Sequence, residues 1–247
     1  MFEEMEHLEI LPNGDRGLLI RFWEDVTPKL NEKIRAVCLR IENASISGVL
    51  ELVPAFNSIT IYYEPTIIAY EEMRKELQLI LQGNMVDFDH ITRRVVHVPV
   101  LYGGEMGPDL ISLSREAGLT TNEVIQFHTT PSYFIYMMGF LPGFPYMGGL
   151  DAKLISPRLE SPRLKVAAGS VGIAHEQTGI YPIESPGGWK IIGRTPLQIF
   201  NPNLEEQAFL FQMGDHVKFY EIDEEMYNEI CRQQDSGQFR VQIDEMG

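Results

Sequence analysis

The residues best equipped for chemistry in this chain lie between Gly139 and Thr195. Two tripeptides, Ser156-Pro157-Arg158 and Ser161-Pro162-Arg163, repeat one pattern, and Gly193-Arg194-Thr195-Pro196 adds a third arginine. Proline disfavours helix for the residue before it, so these arginines are expected on extended or turn backbone. A guanidinium held there can fork a carboxylate or a phosphate; surface ion pairing with Glu160 or other acids is the alternative use. Gly169-Ser170-Val171-Gly172 and Gln177-Thr178-Gly179-Ile180-Tyr181-Pro182 set hydroxyls, an amide and a phenol on glycine-rich backbone. A binding cleft needs such groups, although turns are polar in any protein. Gly139-Phe140-Leu141-Pro142-Gly143-Phe144-Pro145-Tyr146 joins rigid prolines, permissive glycines and three aromatic rings. That run can hold N–H groups toward a ligand, or it can simply turn the corner of a packed barrel.

Several chemistries are excluded by what the pattern lacks. There is no Gly-x-x-x-x-Gly-Lys-Ser/Thr phosphate loop, no Gly-x-Gly-x-x-Gly after a strand and no Gly-x-Ser-x-Gly elbow. The six histidines, His7, His90, His97, His128, His175 and His216, have no metal-ligand spacing, so no metal site is expected. Cys38 and Cys231 make neither a disulfide framework nor a zinc site and read as free thiols of a reducing compartment. A net charge of −15 argues against nucleic acid and against an anionic membrane surface. The first nine residues do not read as a signal peptide, and no apolar run approaches the roughly 18 residues of a membrane span. The expected location is the cytoplasm.

Two sets of elements have to position these groups. The first third reads as a small α/β unit. A strand over 18–23 follows an Asn13-Gly14-Asp15 turn, and Thr27-Pro28 starts a helix whose apolar face is Leu30, Ile34, Val37, Cys38 and Ile41. Strands over 48–53 and 58–63 form an antiparallel pair, and a second helix carries Tyr70, Met73, Leu77, Ile80 and Leu81 up to a Gly83-Asn84 stop. The order β-α-β-β-α fits a ferredoxin-like sandwich. A polar bridge over 85–94 separates residues 1–88 from residues 89–247. Beyond it, 95–101 is a strand that Pro99 marks as an edge or a strand end. Gly107-Pro108-Asp109 opens a helix closed by Gly118, and Thr120-Thr121-Asn122-Glu123 is a capping box for the next one. From Pro131 onward, short apolar runs over 133–138, 171–173, 189–192, 197–200 and 217–220 alternate with proline and glycine. That texture reads as an all-β barrel or sandwich.

The 139–146 run resembles the family called allophanate hydrolase subunit 1, KipI or PxpB, the last being the B component of 5-oxoprolinase. So do Ala168-Gly169-Ser170-Val171-Gly172-Ile173-Ala174, Gln177-Thr178-Gly179-Ile180-Tyr181-Pro182, Ser185-Pro186-Gly187-Gly188-Trp189 and Gly193-Arg194-Thr195-Pro196-Leu197. Tyr102-Gly103-Gly104 with Gly107-Pro108-Asp109-Leu110 is similar to the start of its second domain. Gly14-Asp15-Arg16 and Val53-Pro54-Ala55 are similar to parts of its first. The resemblance spans nearly the whole chain. It departs at Ala167, where the family carries proline, and at His175-Glu176, where small residues are usual before Gln177.

The resemblance implies a small α/β domain followed by a cyclophilin-like β-barrel, and carboxyltransferase-like kinship. It implies the B component of an ATP-dependent 5-oxoprolinase that works with the A and C components to open 5-oxo-L-proline to L-glutamate. ATP is then bound together with a companion chain. Arg158, Arg163 and Arg194 are the expected anion-binding groups; Ser170, Gln177, Thr178 and Tyr181 orient substrate, and His128 moves a proton. A second reading is a KipI-type inhibitor of a sporulation histidine kinase, docking through an aromatic patch of Phe140, Phe144 and Tyr146. A third is the carboxyltransferase part of a biotin-dependent urea or acetamide carboxylase. This chain has no Ala-Met-Lys-Met biotin-carrier segment, so biotin would come from elsewhere.

Overall fold

The structure, a computed structural model, describes residues 8–82 and 93–246. Two compact units divide the chain, Met1–Ile91 and Thr92–Gly247. The Gly83-Asn84 helix stop and most of the polar bridge lie outside the described residues. Among the described residues no helix is long and apolar enough to cross a membrane.

In the first unit, β1 (Leu8–Pro12), β2 (Gly17–Phe22), α1 (Pro28–Ala44), β3 (Val49–Pro54), β4 (Ser58–Tyr63) and α2 (Tyr70–Gln82) follow in order. The sheet runs β1-β2-β4-β3 with every neighbour antiparallel. Alternation puts Leu18, Ile20 and Phe22 of β2 and Ile59, Ile61 and Tyr63 of β4 on one buried face. Thr27 caps α1 as its sequence suggests, its Oγ1 accepting Leu30 N–H at 3.2 Å with Pro28 behind it. The whole expected apolar face of α1 is buried, and burial pushes the Cys38 thiol up to about 12, which leaves it inert. Strand β1 is an element the sequence pattern does not announce. Asn13-Gly14-Asp15, expected as a boundary before β2, is the turn of a β1–β2 hairpin.

In the second unit the strands are β5 (Arg93–Tyr102), β6 (Tyr133–Met138), β7 (Pro145–Gly148), β8 (Arg163–Val166), β9 (Ser170–Ala174), β10 (Gln177–Ile180), β11 (Ser185–Gly187), β12 (Lys190–Arg194), β13 (His216–Glu221) and β14 (Ile243–Met246). The helices are α3 (Leu110–Ala117), α4 (Thr121–Thr129) and α5 (Glu224–Asp235). Sheet neighbours run β12-β9-β10-β7-β6-β13-β5, and β5 pairs back to β12, which closes a seven-stranded barrel. Strand β14 continues the sheet outside the ring, and β8 with β11 forms a separate ribbon. Val98, Ile135, Met147, Val171, Ile173, Ile180, Ile192, Val217 and Phe219 fill the barrel together with Val124 and Ile125 of α4. Gly118 closes α3 in the left-handed conformation and Thr120–Glu123 is a complete capping box, both as expected.

Three expectations need correction. Pro99 does not end its strand, because β5 runs ten residues through it. On one side β5 pairs with β13 over 95–100; on the other, β14 covers 93–96 and β12 covers 101–102. His97 donates its N–H toward that second side, to Gln242 O, and by alternation residue 99 faces the same gap. The missing proline N–H therefore breaks no ladder bond. Residues 197–200 form no strand; only an isolated Phe200–Phe209 bridge remains. The C-terminal part is not all β, since α5 begins at an Asp223 cap and packs Tyr227 and Ile230 on the core.

Candidate functional site

Three of the motif segments, distant in sequence, meet around one hollow of ≈ 550 Å³. Ala168-Gly169 comes from the turn before β9, Pro182 from the segment after β10, and Arg194 through Leu197 from the end of β12. The fourth wall is α5, with Tyr227, Cys231, Gln234 and Asp235. Strand pairing accounts for the convergence: Arg194 lies opposite Ser170 across β12–β9, and Tyr181 N–H bonds Ser170 O at 2.9 Å. Gly169 is the knot. At φ +80 it donates to Tyr181 O at 2.7 Å and accepts Thr195 N–H at 2.9 Å, and a Cβ there would lie 2.4 Å from Thr195 O.

Arg194 Nε donates to Ala168 O at 2.8 Å, which fixes the plane of the guanidinium; its two Nη groups have no partner among the described residues. Gln234 ties α5 to the strand end, donating Nε2–H to Pro196 O at 2.6 Å and accepting Gln198 N–H at 3.0 Å. Burial raises the Tyr227 phenol and the Cys231 thiol, and Arg194 opposes both shifts. Both groups stay neutral, so the guanidinium faces the hollow as a cation with open donors. A carboxylate suits that edge.

The other expected site residues fall elsewhere. His128 is fully buried in the barrel. Its Nδ1 lies 2.7 Å from Tyr102 OH and its Nε2 2.9 Å from Thr178 Oγ1, while Thr178 donates to Gly172 O at 3.1 Å. The Gly172 carbonyl can only accept, so the protons run one way. Tyr102 O–H donates to Nδ1, Nε2–H donates to Thr178, and Thr178 donates to Gly172. Desolvation pushes the imidazole down to about 3 and keeps it neutral. His128 and Thr178 thus hold the core together and do not face the hollow. Ser170 is buried at the β9–β12 ladder, and Gln177 is half-buried at the start of β10.

Tyr181 is buried in a second cluster with Phe144, Val166, Ala174, Trp189 and Ile191, its hydroxyl accepting the Trp189 backbone N–H. Burial raises this phenol, and both Arg158 and Arg163 lie near enough to oppose the rise. The structure therefore gathers Arg158 and Arg163 around Tyr181, apart from the Arg194 hollow, which neither of them lines. Arg158 is exposed. Arg163 is a strut: Nη2 donates to Asp109 Oδ1 at 2.7 Å, and Asp109 Oδ2 accepts Ile191 N–H at 2.6 Å. The aromatic patch is also corrected. Phe144 is 1% exposed and anchors the second cluster, Tyr146 is half-buried, and Phe140 alone stands out at 63% exposure.

Residues 8–210 match the family model for the carboxyltransferase domain, subdomain C and D. This chain belongs to that carboxyltransferase-domain family. A Bacillus subtilis protein, named as the B component of 5-oxoprolinase, is 41% identical over 87% of the chain and 93% of its own length. The crystal structure of TTHA0988 shares 34% identity at a TM-score of 0.72, covering 84% of this chain; the chain spans 40% of that longer polypeptide. The Kluyveromyces lactis urea carboxylase has the same fold at a TM-score of 0.77 and 20% identity, over 97% of this chain and 24% of its own. Every motif segment at the hollow falls inside the family match, whereas α5 falls outside it. Tyr227, Cys231, Gln234 and Asp235 escape sequence reasoning for that reason, and because a polar helix after a run of strands carries no chemical signature. The apolar spacing of Tyr227 and Ile230 behind Asp223 is the available clue.

Proposed function

We propose that this carboxyltransferase-domain chain is the B component of an ATP-dependent 5-oxoprolinase, acting in the cytoplasm with the A and C components to open 5-oxo-L-proline to L-glutamate. The reading rests on one observation: family motifs from three parts of the chain converge on a hollow with a fixed, unpaired guanidinium. Both the lactam and its product carry a carboxylate that Arg194 can take, with Ser170 and Gly169 holding the strand ends that aim it. Arg158, exposed beside Tyr181, is the cation that we assign to the companion-facing side, and Arg163 braces that segment through Asp109. The units correspond, on this reading, to a ferredoxin-like and a cyclophilin-like domain; the lie of β4 between β2 and β3 supports the first.

The residues of the hollow do not fit a triphosphate. One guanidinium stands there against the carboxylates of Glu184 and Asp235, whereas nucleotide phosphates need several cations or a cradle of N–H groups. The nucleotide is therefore assigned to a companion chain, and no step here runs through it. The kinase-inhibitor reading retains only Phe140 of its three aromatic contacts at the surface. The carboxylase reading has the fold likeness to urea carboxylase behind it and predicts turnover of urea with a biotin-carrying partner.

ATP-dependent glutamate formation by a mixture of the A, B and C components tests the proposal. Omission of this chain is expected to abolish turnover, and Arg194→Ala to lower kcat/KM by about a hundredfold, the size of losing a charge-assisted bond of roughly 3 kcal/mol. Full activity without this chain would end the proposal.

A further inference from the structure

We propose that the hollow at Arg194 binds the zwitterionic head of an α-amino acid, Arg194 taking its carboxylate and Asp235 its ammonium. The inference rests on the reading of this hollow as the ligand site, and it adds which chemical class enters.

The polar lining has few groups to spare. Gln234 spends its side chain on Pro196 O and Gln198 N–H, and Thr195 Oγ1 accepts Leu197 N–H at 3.2 Å. Glu184 is matched by Lys165 at 2.9 Å. Two charges are left without a hydrogen-bond or ion-pair partner among the described residues: the Nη edge of Arg194 and the carboxylate of Asp235. They flank the same thiol, since Asp235 pushes Cys231 up and Arg194 pushes it down.

Asp235 is also out of place for a helix. It is the last residue of α5, at the negative end of the helix dipole, which disfavours an anion and favours a cation. The acid one turn and a half earlier, Glu229, has Arg232 as a partner; Asp235 has none among the described residues. A ligand ammonium would pair the carboxylate and suit the negative end of the helix dipole.

This pair of charges sorts related molecules. A lactam has a carboxylate for Arg194 but only a neutral amide nitrogen for Asp235. A dicarboxylate without nitrogen brings like charge to Asp235. An open α-amino acid matches both, with Pro182, Leu197 and Phe200 available to its side chain. The hollow thus prefers the ring-opened product class over the cyclic one.

Titration calorimetry on the full-length chain, with L-glutamate, glutarate and 5-oxo-L-proline as separate probes, tests this. L-Glutamate is expected to bind at least about tenfold more tightly than either of the others. Asp235→Asn is expected to cost about tenfold for L-glutamate while glutarate binding stays level or improves; Arg194→Gln weakens both. Asp235 is exposed, so its variant should fold, and circular dichroism of both variants checks this. Equal or tighter binding of 5-oxo-L-proline or glutarate, unchanged L-glutamate binding in Asp235→Asn, or no binding of L-glutamate would each overturn the inference. Tight lactam binding indifferent to Asp235 would leave the 5-oxoprolinase reading standing. Turnover without this chain would sink that reading instead, while amino-acid binding would still be measurable on the isolated chain.

Discussion

Arg163 and His128 show how environment reassigns a reactive side chain. The Arg163 guanidinium links β8 to Asp109 at the start of α3, and its Nη1 is buried without a partner among the described residues. Asp109 is itself buried and bonded on both oxygens. Removing one member leaves the other short of a partner in a half-dry place. Asp109→Ala and Arg163→Ala are each expected to cost about 2 kcal/mol, with a double variant costing clearly less than the sum, in urea denaturation. Additive losses would mean that the pair is not coupled. His128 carries a pH signature. It is neutral in the fold, with a value of about 3 against an ordinary 6.5, so the unfolded chain binds the extra proton between those values. Stability is then complete above about pH 6.5 and is lost as pH falls toward 3, at up to about 1.4 kcal/mol per pH unit. Comparing urea midpoints at pH 7 and pH 5 for the native chain and His128→Gln should show a drop in the first and a flatter response in the second.

At the scale of elements, one departure from the family pattern falls in the turn between β9 and β10. His175-Glu176 is the two-residue link of this hairpin, and His175 holds φ +52. Such links favour glycine or asparagine because a Cβ is crowded in the left-handed region. His175→Gly is expected to stabilise the barrel by about 0.5–1 kcal/mol, read as a higher melting temperature; a lower one would show that the side chain has a compensating contact. The turn does not line the Arg194 hollow, so this change should not alter ligand binding there. Ala167 sits closer, next to Ala168 in the hollow wall, and its carbonyl accepts Ser170 N–H at 3.2 Å.

At the scale of the whole molecule, the barrel is a closed ring with its own interior cluster, and the first unit has a separate buried sheet face. Each unit contains the core needed to fold. Residues 93–247 produced alone are therefore expected to unfold cooperatively with native-like near-UV circular dichroism. A broad transition lacking that signal would show that the first unit is required. The hollow lies wholly within these residues, so its ligand binding should survive the truncation.

Much was legible from local chemistry. The caps at Thr27 and Thr120, the Gly118 stop, the buried face of α1 and the β3–β4 pairing all follow from interactions a few residues apart, which spacing encodes directly. Family motifs likewise marked the segments that make the hollow. Strand β1 escaped because its turn signal suits a boundary as well as a hairpin, and α5 because its polar faces outnumber its apolar ones. Tertiary structure alone decided that Arg194 lines the hollow while Arg163 braces a helix and His128 lies in the core. Those fates depend on which strands become neighbours when the barrel closes, and ring closure joins β5 to β12 by pairing Tyr102 with the distant Gly193. Residue type fixes what a side chain can do; desolvation and long-range partners, set only by that closure, decide what it is free to do.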